Sequence, residues 1–348
     1  MKILQIDIIM PCYYHDDIVE HAIKNIVKQK TQHQLRLIMI NDCSPNTKDN
    51  YHTLVEKYKN LLNITLIKPE HNSVPGFCRQ MGIQQAQGDF ILFHDDDDEL
   101  INEYAIENLT NILKDYDIQT IRSVSGGIIL DSGDGPRNLS GIENNTLQAT
   151  LYNTNYIKTC NVQFRDFLSY KEEDGAFLFD FAYLGYKHPN ITTMQDLTVD
   201  NYYNYHRKAP QKHISLTMKC SSVESIIALI KMLYANLLTI QENTDMPPEA
   251  KINLATELKI NIPSFWQLLY NEIFNFRHIF SKDEISFLEK CINDIIKYVE
   301  NTDFTMPFNE SHYYIGAFPH NCNYKWDSFK NDYEMQLETL KMCFTKKK

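Results

Sequence analysis

The sequence predicts a doubly wound α/β domain over residues 1–215, followed by a mainly helical domain over residues 216–348. Over the first 130 residues, short β-rich runs alternate with amphipathic stretches, and polar residues follow each β-rich run. From Ser221 onward, the chain instead shows helix-capping patterns. A chain of 348 residues is long enough to bury one large core and one smaller core.

The predicted elements of the first domain alternate along the chain. Strands are expected at residues 3–10, 35–40, 64–68 and 89–93, and helices at residues 17–28, 51–59 and 77–87. Asp17 and Glu20 stand at capping-box spacing at the start of the first helix. A helix over residues 101–114, a strand over 123–130 and a loop over 131–145 are expected next. In such a domain, ligands bind beyond the carboxyl ends of the strands.

Three helices are expected in the second domain. Ser221 and Glu224 have capping-box spacing before a helix that runs to about residue 241, and Pro247-Pro248 opens another helix. Ser281 and Glu284 have the same spacing before a helix that runs to about residue 299. We expect this domain to hold an acceptor or to form a homo-oligomer through its helices.

Composition limits the classes of function. The net charge of −11 argues against a surface built mainly to bind nucleic acid, although a local basic groove is not excluded. Eight cysteines without a C-x-x-C pair predict reduced thiols in a cytoplasmic protein. The apolar stretch over residues 226–240 contains Lys231 and Asn236 and is too short for a transmembrane segment. We therefore expect a soluble cytoplasmic protein, with peripheral membrane contact left open.

Four aspartates, Asp95 to Asp98, directly follow the apolar run over residues 90–93. Like charges at the end of a buried strand destabilise the fold unless a cation compensates them, although many acidic turns are simply solvated. Carboxylate oxygens, together with phosphate oxygens, are typical ligands of Mg²⁺ or Mn²⁺. The position therefore predicts a divalent ion that bridges a diphosphate.

Five blocks, in order, resemble the GT-A nucleotide-sugar glycosyltransferases of family 2. Residues 7–14 resemble the family's first strand ending in Pro-Thr-Tyr-Asn, and residues 37–44 its second strand ending in Asp-Asp-Gly-Ser. Residues 72–82 resemble Asn-x-Gly-x-x-x-Ala-Arg-Asn-x-Gly, residues 93–98 the D-x-D motif, and residues 173–177 the Glu-Asp pair that carries the base in inverting members. The resemblance spans about residues 5–207 and implies a Rossmann-like, doubly wound mixed sheet.

The resemblance implies a role for each matching residue. Nucleotide-sugar binding falls to Pro11, Tyr13, Asp42, Asn72, Arg79, Asp95 and Asp96. Within this set, Pro11 and Tyr13 would form a wall for the base, and Asp42 would accept the imide N–H of a uracil. Asp97 would bind the metal ion, with His206 as a further ligand, and Asp174 would act as the catalytic base.

Each role has a plainer structural alternative. Asp42 is also a typical turn residue, Tyr13 could pack at the edge of the core, and Arg79 could form a surface ion pair. His206 could pack rather than bind metal, and Asp174 could simply start a helix, where acidic residues suit the helix dipole. The chain also departs from the family pattern, with Asn41 and Gln80 in place of an aspartate and an asparagine, and Cys43 and Val74 in place of glycines.

The expected function is an inverting, metal-dependent transfer of a sugar from a nucleotide-diphosphate sugar, most simply a UDP-sugar, to an acceptor hydroxyl. The Gln-x-x-Arg-Trp motif of processive synthases is absent, which favours single transfer. The acceptor is expected to be a cell-surface glycan or a teichoic-acid-type polymer, with a modified DNA base as an alternative. A nucleotidyltransferase usually shows a Gly-rich loop after the first strand, which is missing here, and an inactive binding protein would not be expected to keep Asp95, Asp97 and Asp174.

Overall fold

The computed structural model of the chain forms two compact units. It describes residues 2–13, 18–44, 50–131, 136–140, 147–168, 172–185, 191, 194–199, 205–208, 222–243, 246–276, 281–304 and 325–345. The α/β unit consists of Met1–Asp166 and Leu184–Ser215, and the helical unit of Phe167–Tyr183 and Leu216–Lys348. The chain therefore enters the helical unit once, returns to the α/β unit and then enters the helical unit again.

The α/β unit contains the alternating strands and helices that the sequence predicts. Its strands are β1 (Gln5–Cys12), β2 (Gln34–Asn41), β3 (Asn63–Ile67), β4 (Phe90–Phe93), β5 (Asp98–Leu100), β6 (Ile121–Ser125), β7 (Gly127–Asp131), β8 (Pro136–Ser140), β9 (Thr150–Asn153), β10 (Gln195–Thr198) and β11 (Tyr205–Lys208). Its helices are α1 (Val19–Val27), α2 (Asn50–Tyr58), α3 (Pro75–Gln85), α4 (Ala105–Asn111) and α5 (Thr154–Thr159), with short 3-10 helices at Ile112–Asp115 and Ile118–Thr120.

The main sheet has seven strands in the order β10-β6-β9-β4-β1-β2-β3. Strands β1 to β4 are parallel, and β9 runs antiparallel to both β4 and β6. In register, Cys12 pairs with Asn41 and Ile9 pairs with Phe93, so β1, β2 and β4 end at the same edge. This arrangement confirms the predicted doubly wound mixed sheet and brings the strand ends together.

Both faces of the central strands are buried, as expected for parallel strands covered by helices. Ile6, Ile8 and Met10 of β1 lie in a core cluster with residues of α1 such as Ile23. On α3, Gly82 lies so close to β1 that an added Cβ would overlap the side chain of Ile9. Glycine at this position allows α3 to pack tightly on β1.

A second sheet of four strands has the order β5-β11-β7-β8. Two predictions are wrong here. The predicted strand over 123–130 is two strands in different sheets, β6 and β7, separated by Gly126, whose N–H donates to the carbonyl of Ala149 at 2.8 Å. The predicted helix over 101–114 begins only at Ala105, because β5 occupies Asp98–Leu100 and Asn102 accepts from the N–H of Tyr104 at 2.8 Å.

The helical unit contains α6 (Glu173–Tyr183), α7 (Ser222–Glu242), α8 (Pro248–Phe276), α9 (Lys282–Glu300) and α10 (Trp326–Thr345). The capping box predicted at the start of α9 is confirmed. Ser281 Oγ accepts from the N–H of Glu284 at 3.1 Å, and Glu284 Oε2 accepts from the N–H of Ser281 at 2.9 Å. The N-cap of α1, by contrast, is Ile18, and Asp17 lies outside the described residues.

Helix α6 groups with the helical unit, whereas the sequence analysis placed it within residues 1–215. Ala176 and Phe179 lie in the same core cluster as the buried residues of α7. Thr239 of α7 also hydrogen bonds to Asp180 of α6. A helix with this many apolar residues packs where it can bury them, whatever its place in the chain.

Helix α7 is long and apolar enough, over Val223–Glu242, to cross a membrane by length and composition, which the sequence analysis did not expect. However, 78% of its most apolar 18-residue window is buried within the structure. An apolar helix that is buried on most sides is typical of the centre of a helical core. The burial of α7 among α6, α8 and α9 identifies it as the central helix of this unit.

Candidate active site

The four consecutive aspartates form a tight turn between β4 and β5, which we call the aspartate turn (residues 95–98). The N–H of Asp98 donates to the carbonyl of Asp95 at 3.2 Å, so that Asp96 and Asp97 are the central residues. Asp96 and Asp98 are buried, whereas Asp95 and Asp97 are partly exposed. Buried strand β4 therefore delivers four carboxylates to the edge where the parallel strands end.

Asp95 is held from two sides. Arg79 Nη2 of α3 donates to Asp95 Oδ1 at 2.8 Å, and Gln148 Nε2 donates to Asp95 Oδ2 at 3.0 Å. Arg79 is 4% exposed, and its guanidinium carbon lies 5.9 Å from the centre of the Phe164 ring. Arg79 is therefore not the surface ion pair that the sequence left open but a buried partner of the aspartate turn.

Asp96 connects the aspartate turn to the end of β1. The backbone N–H of Tyr13 donates to Asp96 Oδ2 at 3.2 Å. The Tyr13 residue is 37% exposed, while the preceding Cys12 is fully buried and Pro11 is partly buried. The exposure of Tyr13 is incompatible with a simple core role and leaves part of the residue at the surface, beside the aspartate turn.

Asp42, at the end of β2, organises the start of α3. Its Oδ1 accepts from the N–H of Ser73 at 2.6 Å, and its Oδ2 accepts from Asn72 Nδ2 at 3.1 Å. Asn72 Nδ2 also donates to the Asp42 carbonyl at 2.8 Å. Burial raises the pKa of Asp42, although the hydrogen bonds from Ser73 and Cys78 oppose this change. Because a carboxylate has about four lone-pair sites, these contacts leave Asp42 able to accept a further donor such as an imide N–H.

The residues that depart from the family pattern form a compact turn after β2. Asn41 Oδ1 accepts from the N–H of Ser44 at 3.1 Å. Cys43 has a φ of 53°, in the left-handed region where glycine is favoured, and its Sγ contacts the carbonyl of Pro69 at 3.1 Å. Cys43 thus adopts at this position the backbone conformation that the family's glycine would adopt without strain.

Burial also shifts the titration of two neighbouring side chains. His94, between β4 and the aspartate turn, is 1% exposed, and burial lowers its pKa to about 4 although Asp95 acts in the opposite direction. Burial and the nearby Asp96 raise the pKa of the Cys12 thiol well above its usual value. Both groups are therefore neutral near pH 7.

Strand β11 runs beside the aspartate turn. It pairs antiparallel with β5, so that His206 is opposite Glu99 and Arg207 is opposite Asp98. The backbone of His206 thus lies next to β5, the strand that begins at the last residue of the aspartate turn. The side chain of His206 lies outside what the structure describes. Metal binding by His206 stays a prediction.

Asp174 is the second residue of α6 and belongs to the helical unit. It is partly exposed, and Glu173 beside it is buried. Glu172, just before the helix, has a φ of 66°, which marks a sharp change of chain direction where α6 begins. The first turn of a helix favours acidic side chains, so the position suits an ionised Asp174.

The donor set of the aspartate turn fits a hard divalent cation. Over the described ranges, no group of three or more His, Cys, Asp or Glu side chains converges on one ion position. Mg²⁺ is usually held by one or two carboxylates, with substrate phosphates and water as the remaining ligands. Asp97, partly exposed at the centre of the turn, is suited to be such a carboxylate.

Gln148 was not found by sequence reasoning. It precedes β9, 53 positions after Asp95, in a segment with no motif, and only the fold brings the two side chains together. The pairing of β5 with β11 was missed for the same reason. Asp42, Asp95 and Asp96 follow the ends of β2 and β4, and hydrogen bonds connect the ends of β1, β2 and β4 with α3 and the residues just before it.

Residues 7–168 match the family model described as glycosyl transferase family 2. Over 115 residues the chain is 29% identical to poly(ribitol-phosphate) beta-N-acetylglucosaminyltransferase TarS of Staphylococcus aureus, a match that covers 32% of this chain and 19% of TarS. An uncharacterized glycosyltransferase of Haemophilus influenzae is 29% identical over 121 residues, which are 34% of this chain and 47% of that protein. The matches thus span about a fifth and about half of the lengths of these relatives.

Solved structures share the fold. The structure of S. aureus TarS 1-349 in complex with UDP-GlcNAc aligns with a TM-score of 0.60 and 19% identity, over 85% of this chain and 81% of that chain. The mannosyltransferase PcManGT from Pyrobaculum calidifontis, in complex with GDP-Man and Mn²⁺, aligns with a TM-score of 0.51 and 12% identity, over 87% of this chain and 84% of that chain. The expected GT-A fold with a helical C-terminal region is confirmed. Residues 7–168, just under half of the chain, thus form a domain that matches glycosyl transferase family 2, in agreement with the resemblance seen in the sequence.

Proposed function

We propose that the chain transfers one sugar from a UDP-sugar to a hydroxyl of a polymeric acceptor, with inversion at the anomeric carbon and with Mn²⁺ or Mg²⁺ as cofactor. The observation that carries the proposal is the set of hydrogen bonds at the strand ends, in which Asn72 holds Asp42, Arg79 holds Asp95 and the backbone of Tyr13 holds Asp96. The UDP-GlcNAc bound to TarS supports the donor class, and the name of TarS supports a teichoic-acid-type acceptor. The Mn²⁺ bound to PcManGT supports the metal.

The α/β unit would hold the donor. Tyr13 and Pro11 would lie against the base, Asp42 would accept its imide N–H, and Asn72 would hold Asp42 in place. Asp95 and Asp96 would contact the ribose or metal-bound water, and Asp97 would bind the metal ion, with His206 as a second ligand. The bound dication would stabilise the negative charge that develops on the leaving diphosphate.

The reaction itself would need one base. As the acceptor oxygen forms its bond to the anomeric carbon, its proton would pass to the carboxylate of Asp174. The bond from the anomeric carbon to the diphosphate oxygen would break, and UDP would leave with the electron pair. A single displacement of this kind inverts the configuration. We place the reaction in the cytoplasm, which the five described free cysteines support, and assign the helical unit to acceptor binding or homo-oligomer formation.

Nucleoside diphosphate release tests the donor assignment. The purified chain is incubated with UDP-GlcNAc, UDP-glucose, UDP-galactose and GDP-mannose, in Mn²⁺, Mg²⁺ or EDTA. We expect release from a UDP-sugar that requires the metal ion and that falls by at least about 100-fold in Asp97→Ala. The matched control is Asp115→Asn, an exposed aspartate outside the site, which should leave the rate unchanged. Conversion of a UDP-sugar to UTP and a sugar 1-phosphate when pyrophosphate is added would identify a nucleotidyltransferase, and no release of UDP or GDP from any donor would refute the proposal.

Asp174→Asn tests the base. We expect kcat to fall by about 10²- to 10⁴-fold, the usual contribution of a general base, while the Kd for UDP changes less than about twofold. NMR of the product gives the anomeric configuration. Retention of configuration, or a variant with nearly full kcat, would contradict the role given to Asp174.

A further inference from the structure

We propose that Gln148 is a positioning residue of the donor site, which fixes the orientation of the Asp95 carboxylate; this inference rests on the proposed function of the aspartate turn. The amide of Gln148 donates to Asp95 Oδ2, opposite the contact between Arg79 and Asp95 Oδ1. With a donor on each oxygen, the carboxylate cannot rotate without breaking a hydrogen bond.

The backbone around Gln148 is built to present this side chain. Tyr152 donates its hydroxyl proton to the carbonyl of Leu147 at 3.2 Å, and the N–H of Gly126 donates to the carbonyl of Ala149 at 2.8 Å. Both neighbours of Gln148 are fully buried, whereas Gln148 is partly exposed. The backbone is thus held by hydrogen bonds at the residue before and the residue after Gln148, whose side chain reaches the aspartate turn.

The backbone conformation of Ala149 indicates that its surroundings impose the geometry of this segment. Ala149 has a φ of 58°, a conformation that costs energy for any residue with a Cβ. Non-glycine residues are held in this region only when the surroundings impose it, and such positions are concentrated at functional sites. Here the left-handed residue stands between Gln148 and the first residue of β9, where it sets the direction from which the glutamine approaches Asp95.

Arg79, the second hydrogen-bond donor to Asp95, is also held in place by its neighbours. Phe164 contacts the Arg79 guanidinium and packs edge-on against Phe93 with ring centres 5.7 Å apart. Its backbone N–H donates to Gln80 Oε1 at 2.9 Å. Arg79 is therefore fixed by α3 and by the segment after α5. If Gln148 were removed, Asp95 would keep this ion pair but lose the hydrogen bond from Gln148 to its second oxygen.

Three variants separate this role from a packing role. The Kd for UDP is measured by calorimetry on the full-length chain, in Mn²⁺ and in EDTA. We expect Gln148→Ala to weaken UDP binding about tenfold, the usual effect of one hydrogen bond to a charged group. Gln148→Glu should weaken it more, because a second carboxylate would face Asp95. A packing role predicts the opposite order, since glutamate is nearly isosteric with glutamine. Gln119→Ala, at an exposed glutamine, is the matched control.

A double-mutant cycle shows whether Gln148 acts through Asp95. In an Asp95→Ala background, Gln148→Ala should cost no further affinity. An undiminished loss in that background would mean that Gln148 contacts the ligand itself and would overturn the proposal. So would wild-type affinity of Gln148→Ala, or Gln148→Glu binding better than Gln148→Ala.

A ligand-free crystal structure of Gln148→Ala tests directly whether Gln148 orients the Asp95 carboxylate. This test needs neither a bound donor nor a folded Asp95 variant. We expect the Asp95 carboxylate to be turned or spread over two orientations, with Arg79 unmoved. An unchanged carboxylate would overturn the positioning role. If the wild-type chain binds no nucleoside diphosphate, the proposed function fails, and this structure still decides the role of Gln148.

Discussion

Replacing Asp7 by alanine should destabilise the α/β unit more than loss of an ordinary ion pair would. Asp7 is fully buried in β1, and its carboxylate accepts from Arg36 Nε at 2.8 Å and Arg36 Nη2 at 2.6 Å. It also accepts from the backbone N–H groups of Gln87 and Gly88, at 2.6 and 2.7 Å. One side chain thus connects β1, β2 and the turn that leads into β4, the strand that carries the aspartate turn.

The size of the destabilisation follows from the groups that would lose their hydrogen-bond partner if alanine replaced Asp7. Two backbone donors would lose their acceptor, at about 1–3 kcal/mol for each one that stays buried. Arg36 would lose its counter-charge, but its side chain is 13% exposed and water can replace part of that contact. Breaking a buried ion pair usually costs about 3–5 kcal/mol, and we expect Asp7→Ala to fall in this range.

Hydrogen exchange measures the effect in the unit that contains Asp7. A decrease of about 3–5 kcal/mol in the free energy of opening corresponds to roughly 150- to 5,000-fold faster exchange of the amides of β1 and β2 that exchange by unfolding. The matched control is Glu103→Gln, which removes the exposed pair that Lys30 and Glu103 form at 2.6 Å and should change exchange less than about fivefold. Exchange in Asp7→Ala within the range of this control would refute the reasoning.

The pH dependence provides a second test of the same ion pair. Burial tends to raise the pKa of Asp7, but the hydrogen bonds from Arg36, Gly88 and Gln87 outweigh it and lower the pKa overall. A carboxyl with a lowered pKa in the folded state stabilises the protein above its unfolded value of about 3.9, and the effect is lost as pH falls through the folded value. The difference between wild type and Asp7→Ala should therefore shrink at acid pH, whereas a purely steric effect of the substitution would not depend on pH.

Two further substitutions test the helical unit and the turn after β2. Burial raises the pKa of Glu257 from 4.5 to about 8, so ionisation costs stability as pH rises, and Glu257→Gln should add up to about 4 kcal/mol at pH 8 and little at pH 4. Both tryptophans, Trp266 and Trp326, lie in the helical unit, so fluorescence-detected urea unfolding measures this effect; equal gains at both pH values would contradict it. At Cys43, glycine should keep stability within about 1 kcal/mol and valine should lower it by more than about 1 kcal/mol, because a β-branched residue is strained at φ 53°; equal thermal stability of the two variants would count against strain.

Much of the candidate site could be predicted because its signals are local. A buried strand followed by polar residues is visible in a few consecutive positions, and the parallel sheet then brings the ends of such strands together. Asp42 and Asp95 follow two such strands, and Arg79 reaches Asp95 from α3. Asn72 and the backbone N–H of Ser73 hold Asp42.

The parts that could not be predicted depend on contacts between distant segments. Gln148 meets Asp95 because β9 inserts antiparallel between β4 and β6, and no residue near Gln148 signals this pairing. Helix α6 joins the helical unit because Ala176 and Phe179 pack in a core made largely by later helices. The acidic residues at its start indicate that a helix could begin at Asp174, but they carry no information about which core covers that helix.

The contacts of the aspartate turn explain how one short segment can carry so much negative charge. Asp95 faces the guanidinium of Arg79, and Asp96 accepts from the backbone N–H of Tyr13, so that part of the charge is compensated within the protein. Asp98 is buried at the first position of β5, in register with Arg207 of β11. Asp97 differs from Asp96 and Asp98 in being partly exposed while central in the turn. Like charges this close repel one another, and a dication at Asp97 would relieve that repulsion. Metal binding should therefore stabilise the α/β unit itself, apart from any effect on catalysis.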